Sequence, residues 1–106
     1  MELSKSERKK LRELAGEIYE AEVDLMLEEL QQQFERWRKK EILGSELMTE
    51  IHELHTHQSR ELWSTYNNLN ESMLVARGVG LGLIDEAKVP PALLAKLDVG
   101  YWREQK

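Results

Sequence analysis

From Ser4 to Lys40 the chain contains no proline and a single glycine, Gly16, and it is dense in Glu, Leu, Lys, Arg and Gln. Each of these residues loses little rotamer freedom in a helix, so the stretch predicts one long α-helix over residues 4–40. Ser4 or Ser6 fits the N-cap, and "ERWRKK" puts positive charge in the last turns, where it complements the helix dipole. Lys5, Arg8, Lys9 and Lys10 oppose the dipole at the other end, which predicts fraying there.

A helix this long must hide its apolar side. At about 100° per residue, Leu11, Leu14, Ile18, Ala21 and Leu25 make one stripe. Tyr19, Val23, Met26, Leu27, Leu30, Phe34 and Trp37 make a second beside it. A two-helix hairpin buries one stripe, so the other needs the C-terminal segment or a second copy of the chain.

Gly44-Ser45 reads as a break with Ser45 as the next N-cap, and a second helix is predicted over residues 46–77, weakest at "NNLN" (67–70). Residues 78–89 read as a Gly-rich turn and loop, 90–98 as a short helix with Pro91 in its first turn, and 99–106 as a tail. The segment beyond Gly82 looks too small to cover helix 1. The expectation is therefore a single all-α domain over residues 1–106: a long antiparallel helical hairpin plus a short C-terminal helix, closing into a four-helix bundle as a homodimer.

Charge and composition narrow the function classes. A formal net charge of -5 argues against a general nucleic-acid binder, which needs a basic face to neutralise phosphates. With no cysteine there is no disulfide, thiolate metal site or cysteine nucleophile, and this fits the cytoplasm. No segment approaches the roughly 20 apolar residues needed to span a bilayer, and no apolar stretch follows the charged N-terminus as in a signal peptide. A soluble, unprocessed chain is expected.

All three histidines fall in "EIHELHTHQSRELW", at positions 52, 55 and 57. On an unbroken helix His55 shares a face with Met48, Ile51, Leu62, Tyr66, Leu69 and Met73, with His52 and Trp63 at its edge, while His57 points away. On helix 1, Glu22 and Glu29 fall between the apolar stripes, and a carboxylate placed there calls for a partner. Two readings follow, with acid–base catalysis by the histidines as a third and lesser one. Either His52 and His55 form a hydrogen-bonded polar seam with Glu22, Glu29 or Tyr66, or His52, His55, Glu22 and Glu29 ligate a divalent metal. Neither His-Glu-x-x-His nor Glu-x-x-His is present, so the seam is the preferred reading and no cofactor is expected.

The remaining motifs have plain readings. "RGVGLGLID" spaces its glycines G-x-G-x-G, not G-x-G-x-x-G, with no preceding strand, and reads as a helix end where glycine allows positive φ or close backbone approach. Glu17-x-x-Glu20 and Glu50-x-x-Glu53 could hold magnesium on packed helices, but a solvated acidic face is the preferred reading. Arg60 and Trp63, with Tyr101 and Trp102 in the tail, are of the types enriched at binding hot spots and are the candidate partner-binding residues. No catalytic residue is assigned. The expected function is a non-enzymatic interaction or regulatory module acting as a homodimer, with a protein partner; the alternative is a metal-binding protein or metal-dependent hydrolase.

Overall fold

The computed structural model describes residues 2–105; Met1 and Lys106, the outer limits of the expected domain and tail, lie outside the described residues. Helix is the regular structure among those residues, joined by turns and loops, with no strand among them. Helix α1 spans Lys5–Arg38 and α2 spans Gly44–Glu53. One π-helical turn, Leu54–Gln58, leads into α3, Ser59–Asn68. Then come α4 (Glu71–Gly80), a 3₁₀ turn (Glu86–Lys88), α5 (Pro91–Leu94) and α6 (Val99–Arg103). Contacts group into two compact units, one of Met1–Glu22 with Leu69–Lys106 and one of Val23–Asn68.

In the first unit, α1 begins with a reciprocal cap. The Glu7 backbone N–H donates to Ser4 Oγ at 3.1 Å, and the Ser4 N–H donates to Glu7 Oε1 at 2.9 Å. Of the two serines, Ser4 therefore holds the cap, and the acid three residues on satisfies the second donor. Lys96 Nζ lies 2.9 Å from the same Glu7 oxygen, so the first turn is tied to the chain's far end despite its basic residues.

The core of this unit is the first stripe of α1 closed by the C-terminal half of the chain. Leu11, Leu14, Ala15 and Ile18 are buried with Leu74, Val75, Ala76 and Val79 of α4 and with Val89, Leu93 and Val99. The segment beyond Gly82 thus contributes to covering the N-terminal half of helix 1, whose buried residues end at Ile18, while Leu25, Leu27 and Trp37 stay exposed. Residues 99–103, expected as tail, form α6, whose Tyr101 N–H is accepted by the Asp98 side chain. Two glycines let these elements meet. A Cβ at Gly78 would lie 2.5 Å from Ile18 Cδ1, and one at Gly80 would lie 2.5 Å from Trp102 Cβ. Contact between α1 and α4, and between α4 and α6, is possible only where those atoms are missing.

Helix α4 is separate from α3, where an unbroken helix over 46–77 was expected. Asn70 Oδ1 accepts the Met73 N–H at 2.9 Å, so the last residue of "NNLN" starts a new helix. The helix ends at Gly80, past the expected limit, and Gly82 sits at φ 77° while its N–H reaches Val79 O and that of Leu83 reaches Gly78 O. Those paired bonds around a left-handed residue are a Schellman closure.

In the second unit the C-terminal half of α1 runs antiparallel to α2 and the π turn. Met26, Glu29, Leu30 and Gln33 of α1 line one small hollow together with Glu50, Leu54 and Gln58. Helix α1 ends on a second Schellman closure, with Lys40 N–H to Trp37 O and Glu41 N–H to Arg36 O, and here the left-handed residue is Lys40 at φ 62°. Leu43, not Ser45, occupies the N-cap of α2, because Glu46 Oε1 takes the Leu43 N–H at 3.1 Å. The π turn inserts one extra residue, so the inward positions become Leu47 and Ile51 before it, Leu54 at its first residue, and Leu62 and Tyr66 after it. Only Leu47 and Leu62 are fully buried in this unit.

Candidate binding cleft

The residues predicted to hold a metal are placed in different surroundings. Glu22 is engaged in the first unit by Arg77, with Nη1–Oε1 and Nη2–Oε2 distances of 2.8 Å. Glu29, His52 and His55 belong to the second unit and are exposed. The π turn explains the histidines: Leu54 takes the inward position expected for His55. Thr56 Oγ1 lies 3.5 Å from the His52 ring, at the outer limit of a hydrogen bond, and His57 Nδ1 lies 2.9 Å from Glu53 Oε2 one turn back. Glu29 and Glu50 both line the small hollow. Among the described residues no group of three or more His, Cys, Asp or Glu is arranged to hold a metal ion.

The four predicted partner-binding residues divide between the units. Arg60 and Trp63 are exposed in the second, Trp63 with 66% of its surface open. Tyr101 and Trp102 lie on α6 in the first, where their rings meet edge to face at 5.0 Å and 87°.

Tyr101 and Trp102 open onto a cleft of about 740 Å³. Its apolar lining is completed by Leu3, Leu69, Met73, Ala76 and Leu97. Sequence reasoning did not assign those five, which come from separate segments with no shared motif. The polar lining residues are Asn70, Ser72, Lys96 and Asp98. Asn70 caps α4, Asp98 Oδ1 receives the Tyr101 N–H of α6 at 3.4 Å, and Lys96 is bound to Glu7. Three of the four are thus committed to holding the fold. The cleft is concave and mostly apolar in its lining, as small-molecule sites are.

A second recess of about 210 Å³ adjoins the first, sharing Leu3, Asn70 and Ser72, and is completed by Arg8, Leu11, Arg12 and Glu71. No helix among the described residues is long and apolar enough to cross a membrane. No family model, curated protein or solved structure matches the chain.

Proposed function

We propose that the protein is a non-enzymatic interaction module that works as a cytoplasmic homodimer, the second unit of one copy packing on that of another to complete a four-helix bundle. The observation that carries this reading is the imbalance of the second unit. Between Val23 and Asn68, Leu47 and Leu62 are the buried hydrophobic residues, while Leu25, Leu27, Trp37, Leu43, Met48 and Trp63 are 42–68% exposed. Covering a leucine or tryptophan side chain is worth about 1.5–3 kcal/mol. A helix pair with so thin a core gains that stabilisation from a partner surface of the same kind, and a second copy supplies one by two-fold symmetry.

The test introduces charge at two of these exposed apolar positions. Leu27→Glu with Trp63→Glu is expected to give a monomer in sedimentation equilibrium and to increase amide exchange across residues 23–68 while leaving exchange across 71–80 as in the native protein. A variant that stays dimeric with unchanged exchange would refute the assignment of this face.

A further inference from the structure

We infer that the cleft of the first unit and its adjoining recess form one binding site for a single-chain amphiphile with an anionic head, a carboxylate or a phosphate. This goes beyond the dimer reading, since every lining residue belongs to the first unit.

The tail end follows from shape and lining. A volume of about 740 Å³ falls in the range of small-molecule sites, and Leu69, Met73, Leu97, Tyr101 and Trp102 offer it apolar walls. Met73 is left 48% exposed and Tyr101 52% exposed, surface that a bound alkyl chain would cover.

The head end follows from charge. The recess that shares Leu3, Asn70 and Ser72 with the cleft carries Arg8 and Arg12 against one carboxylate, Glu71. Arg8 and Arg12 stand one turn apart on α1, a like-charge spacing that weakens a helix. Neither has an acid three or four residues away: the neighbours are Ser4, Lys5 and Leu11 for Arg8 and Lys9, Ala15 and Gly16 for Arg12. Among the described residues neither guanidinium has a hydrogen-bond or ion-pair partner. Glu71 lies in the first turn of α4, where its charge favours that helix's own dipole. The same basic residues oppose the dipole of α1, so the fold gains nothing from their sign at this end. Two guanidiniums line the recess beside an apolar cleft in a chain of net charge -5, and each guanidinium can bind a carboxylate or phosphate by paired N–H donors.

The experiment is calorimetric titration of the full chain with decanoate, decyltrimethylammonium and decanol, all kept below micellar concentration. Decanoate is expected to bind once per chain and about tenfold or more tighter than the cation. Arg8→Gln with Arg12→Gln, exposed positions where glutamine keeps helix propensity, is expected to erase that preference while decanol binds as before. Met73→Asp is expected to weaken all three. The dimer-face variant Leu27→Glu with Trp63→Glu is expected to bind decanoate as the native chain does, so failure of the dimer reading and failure of this one are separable. Equal binding of anion and cation, a preference that survives loss of both arginines, or no binding of any probe would each overturn the proposal. Binding to vesicles of anionic phospholipid without binding of monomeric decanoate would overturn it as well.

Discussion

Arg77 and Glu22 meet through two parallel 2.8 Å hydrogen bonds, Nη1 to Oε1 and Nη2 to Oε2, with only 15% and 19% of their side chains exposed. The pair joins α4 to α1 at the edge of the first unit's core. A bidentate pair this shielded from water is costly to break from one side. Arg77→Ala is expected to destabilise the protein by about 1–3 kcal/mol, read from urea unfolding. Replacing both residues with methionine is expected to cost less than the two single changes summed, the sign of direct coupling.

Three glycines with different surroundings make a second prediction. Gly78→Ala puts a methyl 2.5 Å from Ile18 Cδ1, and overpacking of that kind typically costs about 1–3 kcal/mol. Gly80→Ala meets the Arg103 N and Val99 O backbone atoms at 3.0 Å and should be at least as costly. Gly16, in α1 with nothing within 4 Å of an added Cβ, should respond oppositely: Gly16→Ala is expected to stabilise by about 0.5–1 kcal/mol.

The two Schellman closures differ in one residue. Gly82 occupies the left-handed position after α4 at no steric cost, whereas Lys40 occupies it after α1. Lys40→Gly is therefore expected to raise stability by about 0.5–1 kcal/mol, provided the relief of strain outweighs the added chain entropy. A fall in thermal midpoint would contradict the assignment of strain to this residue.

Glu7 links acid sensitivity to the joined ends of the chain. The Ser4 backbone N–H, followed by Lys96, holds its carboxyl below the ordinary value of 4.5. A carboxyl lowered on folding contributes stability that is fully present above its unfolded value and is lost as pH falls through the folded one. Glu7→Gln should accordingly flatten the acid limb of the stability profile below about pH 4.5 and leave the profile's shape at neutral pH unchanged.

Much of this arrangement was legible in the sequence, and the parts that were not share a cause. Leu11, Leu14 and Ile18 read as a stripe because helical spacing alone groups them, and those three are the best-buried residues of α1. Glu22 read as a carboxylate in need of a partner, but its partner is 55 residues away, and no local pattern connects Glu22 to Arg77. The π turn left no compositional mark, so its single extra residue exchanged Leu54 for His55 at the inward position. Helix α6 was hidden because five residues are too few to show a period. Tyr101 and Trp102 stood out by residue type, while Leu69, Met73 and Leu97 gained meaning only when folding brought them around one cleft.

The central claim is that a second copy covers the apolar face of the second unit, and the mass of the native chain in solution tests it most directly. Each chain is 12.5 kDa, so static light scattering on a size-exclusion column should give twice that, 25 kDa. A single species of 12.5 kDa, with residues 23–68 protected from amide exchange as strongly as α4, would contradict it.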